Sequence, residues 1–221
     1  MNRLTTLVIL SFSGIAASTA ASAAVYAAAA SLEAVGVEIR DSDFPGATFE
    51  LVYRAAPGYA LIAQAEHRDF DITLELAGVV DSEAPAEAQA LSRAFVGIAF
   101  RVQAESDEFE KLYLRLDNGR AEDQLQRNHA TQFESLPEHP WHRLRKEAPG
   151  KYESYVDVAL AQWTRVRIEV RGNRARLFVA DAPQPVLVIN DELLEARAGG
   201  IGLWVGLATI GYFRNIEIEP R

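Results

Sequence analysis

The chain has 221 residues, 49% of them apolar, with 22 Lys+Arg against 31 Asp+Glu, a net charge of −9 and no cysteine. That balance lacks the basic footprint of a nucleic-acid binder, and the apolar content is too high for a disordered chain. Without cysteine there is no disulfide framework, no thiolate zinc centre and no cysteine nucleophile.

The first segment reads as an export signal. Asn2-Arg3 is a short positive start, Leu4 to Ala17 is mostly apolar, and Ala21-Ser22-Ala23 offers the small–x–small pattern of a signal-peptidase site. The apolar run is too short to span a bilayer, for which roughly 20 residues are needed. The expectation is a signal peptide over 1–23, then one domain over 24–221, extracytoplasmic and without membrane insertion.

From residue 70 onward the sequence reads as strands. A first segment covers 70–79, and Ser82 to Ala94, with Pro85 near its start, suits one short surface helix. Strand-like stretches follow at 95–103, 108–116 and 128–134, and the Pro-rich stretch 135–151 reads as the longest irregular loop. After a segment at 152–158, Val166, Ile168 and Val170 alternate with Arg165, Arg167, Glu169 and Arg171, the pattern of a half-buried strand. Gly172-Asn173 then suits a primed hairpin turn, since both residues tolerate positive φ. The chain returns through Arg174 to Val179 with Ala175, Leu177 and Val179 inward. Further strands fall at 185–189, 201–205 and 210–218. Ten strands with barely any helical period predict an all-β fold, a two-sheet antiparallel jelly-roll sandwich with at most one short helix.

A resemblance rests on Phe95-Val-Gly-Ile-Ala-Phe-Arg101, Glu110-Lys-Leu-Tyr-Leu-Arg115, Asp117-Asn-Gly-Arg120, Arg127-Asn-His-Ala-Thr-Gln132, Trp141-His-Arg-Leu-Arg145 and the tail Ile201-Gly-Leu-Trp204 … Gly211-Tyr-Phe-Arg-Asn-Ile216. Over roughly 70–218 the chain resembles the concanavalin A-like lectin/glucanase superfamily, nearest the 3-keto-disaccharide hydrolase-like group. The resemblance implies a jelly roll whose concave face holds sugars, without implying catalysis. Related patterns carry a Tyr after the Gln, where Phe133 stands here, so a hydroxyl contact to ligand would be missing.

Alternation places Leu112, Leu114 and Leu116 in the core and Phe109, Lys111, Tyr113, Arg115 and Asp117 on the other face. Rings that stack on a pyranose, beside charged groups that bond its hydroxyls, suit a sugar site; a merely soluble sheet face reads the same way. The densest polar cluster, Arg127-Asn128-His129-x-x-Gln132, leads into a stretch holding Trp141, His142, Arg143 and Arg145. The expected ligand-binding set is Tyr113, Arg115, Asn118, Arg127, Asn128, Gln132, Trp141, Arg145 and Tyr152. The candidate acids are Glu110 and Glu153, with His129 as a base near neutrality.

Glu105-x-Asp107-x-x-Glu110 matches the carboxylate spacing of retaining β-glucanases formally, but Gln103 to Glu108 reads as a charged hairpin turn. No metal or other cofactor is expected. Calcium on Asp117, Asn118 and Asp123 would suit hard oxygen ligands, yet Asp-Asn-Gly is also an ordinary turn. Three functions stay open: an exported carbohydrate-binding domain, a glycoside-cleaving enzyme using Glu110 or Glu153, and a structural or protein-interaction module.

Overall fold

Alternation of apolar and polar residues, met again and again along the chain, resolves into two stacked antiparallel sheets in the computed structural model, which describes residues 24–26, 32–191 and 194–221. The expected signal peptide at 1–23 lies outside those residues. The first sheet has eight strands. Its path runs β13 (Leu187–Ile189), β12 (Arg174–Val179), β11 (Thr164–Arg171), β6 (Phe70–Val80), β15 (Thr209–Pro220), β4 (Phe49–Tyr53) and β3 (Val37–Arg40), with β1 (Ala24–Tyr26) pairing β15. The second sheet, of seven strands, runs β10 (Glu153–Ser154), β9 (Thr131–Leu136), β8 (Phe109–Arg115), β7 (Phe95–Val102), β14 (Gly199–Val205), β5 (Tyr59–His67) and β2 (Glu33–Val35).

The core lies between the sheets. Phe70, Ile72, Leu74 and Leu76 of β6, Val166, Ile168 and Val170 of β11, and Ala175, Leu177 and Val179 of β12 fill it from one side. Ile98, Phe100, Leu112, Leu114 and Phe133 meet them from the other. The β11–β12 hairpin is closed by two residues, since Arg171 pairs Arg174 directly. Only Gly172 takes positive φ (58°), the II′ pattern with Gly first, rather than positive φ at both positions.

The all-β sandwich matches the sequence expectation. Three differences have local causes. Strands β1 to β5 precede residue 70, and most are too short and too interrupted by Gly and Pro to show a period. The helix-like stretch shrinks to α1 (Ala86–Leu91), which buries no residue. Two further short helices stand outside the one expected: α2 (Gln124–Arg127), between two expected strands and started by Asp123 accepting from Gln126 N at 2.7 Å, and α3 (Trp141–Glu147), inside the expected loop, which follows Pro140 and buries Leu144. Among the described residues no helix is long and apolar enough to cross a membrane.

Candidate functional site

Directly paired residues of neighbouring strands share a face, so register shows what the outer face of the second sheet carries. Glu153 of β10 pairs Gln132 of β9, Gln132 pairs Tyr113 of β8, Tyr113 pairs Gly97 of β7, and Gly97 pairs Trp204 of β14. One row therefore runs Glu153, Gln132, Tyr113, Gly97, Trp204. Two residues along lie Glu134 and Lys111, and beside Tyr113 on its own strand is Arg115. Gly97 is required here: a Cβ would come within 2.2 Å of Leu112 O and 2.5 Å of Tyr113 Cα. Its absence lets the Tyr113 and Trp204 rings meet, centroids 4.8 Å apart.

At the β10 end the polar groups converge on Glu153. Arg145, from α3, donates to its carboxylate through Nε (3.1 Å to each oxygen) and Nη2 (2.7 Å). His129 Nε2 lies 3.2 Å and Arg115 Nη1 3.7 Å from the same carboxylate. Arg115 also donates to Gln132 Oε1 (3.0 Å), the Tyr113 hydroxyl (3.3 Å) and the His129 carbonyl (3.2 Å). Tyr113 passes its own hydrogen to Glu134 Oε1 at 2.7 Å, and Lys111 Nζ sits 3.5 Å from that oxygen and 4.0 Å over the Trp204 ring. Trp141 closes the edge: it is 42% exposed, with the Arg145 and Arg115 guanidiniums 4.9 and 5.7 Å from its ring centre.

Burial shapes the protonation of this network. It pushes the Tyr113 hydroxyl well up, helped by the Glu134 charge, and draws the Lys111 ammonium down against the opposing pull of Glu134. His129 is lowered, first by burial, with Glu153 working the other way. A base held below its unfolded value of 6.5 binds fewer protons when folded, so stability is lost as pH falls from 6.5 through the lower folded value. His129→Gln should therefore unfold at a urea midpoint that declines less between about pH 7.5 and pH 5 than the wild type's does. Parallel pH profiles would overturn that expectation.

Of the expected site residues, Tyr113, Arg115, His129, Gln132, Trp141, Arg145 and Glu153 come together. Asn118 stands behind them, its Nδ2 donating to the His129 carbonyl at 3.1 Å and its Oδ1 accepting from Gln126, so it positions His129. Arg127 turns aside to Tyr155, and exposed Asn128 accepts from Gln124. Tyr152 faces inward, its ring against Phe133 and its hydroxyl on Asp191. Phe133 is itself fully buried between the sheets, so a hydroxyl there could not reach the outer face.

Glu110 is the main correction. It shares the inward side of β8 with Leu112 and Leu114, where Arg101 Nη1 binds it at 2.9 Å. It therefore does not face Glu153, and the two form no acid pair. Glu105 and Asp107 are exposed on the β7–β8 turn, away from it. Glu134 is the carboxylate that sequence reading passed over, although it follows Gln132 at the period of two that fixes the face. Among the described residues no three His, Cys, Asp or Glu side chains are placed to hold a metal ion. Asn118 and Asp123 spend side-chain oxygens on Gln126.

Neither a family model nor a curated relative matches the sequence. Solved structures do match. A carbohydrate-binding module, CBM66 from Bacillus subtilis, superposes with a TM-score of 0.57 at 12% identity over 86% of this chain and 95% of that one. The two share a two-sheet antiparallel β-sandwich fold. A presumed glycosyl hydrolase from Parabacteroides distasonis gives 0.51 at 11% identity, over 87% and 94% of the two chains. At such identities the likeness is one of fold.

Proposed function

We propose that this is an exported domain that binds a carbohydrate, a glycan or a sugar derivative, on the outer face of its seven-stranded sheet. The rim formed by Trp141, Arg145, His129 and Glu153 makes the first contact. The observation that carries this reading is the Trp141 ring, 42% exposed and held beside two guanidiniums over a buried carboxylate. Such a ring offers an apolar plate to a pyranose, and the Arg–Glu pair beside it offers donors and acceptors spaced for neighbouring hydroxyls. Side-chain exposures of 31% for Arg145 and 17% for His129 leave both within reach of a ligand.

The likeness to a carbohydrate-binding module supports the same reading, as does the resemblance over roughly residues 70–218 to the concanavalin A-like superfamily, nearest its 3-keto-disaccharide hydrolase-like group. Glu153 is a binding group rather than a catalytic one, because Arg145 and Arg115 already pair its carboxylate and Glu110 lies on the far side of β8. His129 orients Glu153.

A glycan array probed with the whole chain tests this. Trp141→Ala and Arg145→Ala should each weaken binding to any positive glycan about tenfold or more, with folding unchanged by circular dichroism. An array with no positives, or variants that bind as the wild type does, would refute the assignment.

A further inference from the structure

The outer face of the other sheet carries a second feature. Two cavities open there, of about 480 Å³ and 270 Å³, and they share Arg165 and Asp181. Register sets their walls. Arg165 of β11 pairs Glu75 of β6, and Arg167 pairs both Thr73 of β6 and Phe178 of β12, so these side chains share one face. The larger cavity is walled by Trp163, Gln162, Asp157 and Arg120, the smaller by Phe178, Arg167 and Thr73. In this groove Trp163 lines the larger cavity and Phe178, with the Arg167 guanidinium 3.7 Å over its ring, the smaller, while the Arg165–Asp181 ion pair at 3.3 Å is shared by both.

We infer that this groove is a second carbohydrate site, for a neutral oligosaccharide. Its lining carries Arg120, Arg165 and Arg167 against Glu75, Asp157 and Asp181, so the charges cancel and a net-charged ligand gains nothing from the local field. What remains is a dense set of donors and acceptors, which is what a chain of hydroxyls requires. Trp163 is already fixed: its indole N–H donates to Pro45 O at 3.0 Å, Arg214 lies 4.1 Å over its ring and Phe44 packs edge-on. A ring held in place costs little to order on binding. The Arg165–Asp181 bridge is exposed, 57% and 74%, so it adds little to folding and sugar hydroxyls can take over its bonds cheaply. The volumes suit a ligand of more than one ring. The inference extends the carbohydrate reading to the opposite side of the sandwich and does not need the Trp141 rim to be correct.

The three tryptophans report on separate places: Trp141 at the rim, Trp204 on the seven-stranded sheet and Trp163 in this groove. Their indole N–H resonances, assigned through Trp→Phe variants, can be followed while the whole chain is titrated with neutral arabino-, xylo- and malto-oligosaccharides. At least one of these should move the Trp163 signal saturably, with about tenfold weaker apparent affinity in Arg165→Ala and in Asp181→Ala, both surface changes that spare the core. A Trp163 signal that never moves, or moves equally in both variants, overturns the second site. Movement of Trp141 alone overturns it while leaving the rim assignment standing, and movement of Trp163 alone does the reverse.

Discussion

Glu110→Ala should destabilise the fold by about 3–5 kcal/mol, read as a large drop in urea midpoint. The reason lies in where Arg101 goes. Between β7 and β14 the register slips: Ala99 pairs Gly202 but Val102 pairs Gly200, so β7 carries one extra residue. Arg101, at φ 52°, is in that bulge, and instead of pointing out as alternation demands it turns in beside Phe100. There its guanidinium bridges the sheets, binding Glu110 on β8 and the Gly172 carbonyl in the β11–β12 turn. Both members of the pair are fully buried. Removing the carboxylate leaves a guanidinium charge in the core without its Glu110 partner, and the lost desolvation energy is not returned. Arg101→Met with Glu110→Leu should recover most of the loss, because an apolar pair carries no such debt. If Glu110→Ala instead kept the wild-type midpoint, the pair would be outside the cooperative core.

Gly97→Val should be nearly as damaging, about 3 kcal/mol or more, and should also abolish glycan binding. The added Cβ meets backbone, Leu112 O at 2.2 Å and Tyr113 Cα at 2.5 Å, which cannot rotate away as a side chain would. The β7–β8 pairing must open, and Tyr113 leaves both Trp204 and Glu134. Near-UV circular dichroism should lose aromatic signal along with stability. A variant with wild-type stability and binding would show that the Tyr113–Trp204 contact is dispensable.

These two cases also mark what could be read from the sequence. Alternation in β11, β12 and β8 separates Val166, Leu177 and Leu112 from Arg165, Arg176 and Tyr113, because the inward Val, Ala and Leu positions of each segment recur at a period of two. The same rule, applied without knowledge of neighbours, put Tyr113, Arg115 and His129 near one another. It failed where pairing rather than period decides. Glu110 is expected as a site acid, although its own alternation with Leu112 places it inward. Arg101 is inverted by a bulge that only the partner strand reveals. Glu134 needed the same alternation that located Gln132. Tyr152 is expected as a ligand contact, yet it stands just before β10 and its ring packs inward on Phe133 of β9, a contact set by where the intervening segment returns the chain.

The strand orders have one more consequence. In the first sheet β4 meets β6 only through β15, and in the second β5 meets β7 only through β14. The final two strands thus act as keystones, and strands β1 to β5 join the middle of the chain by backbone pairing through them. Until residues 199–220 have been synthesised, each sheet stands as two separate portions, four in all, with open edges. A chain cut short ahead of Gly199 would therefore offer four bare strand edges, on β4, β5, β6 and β7, to its neighbours.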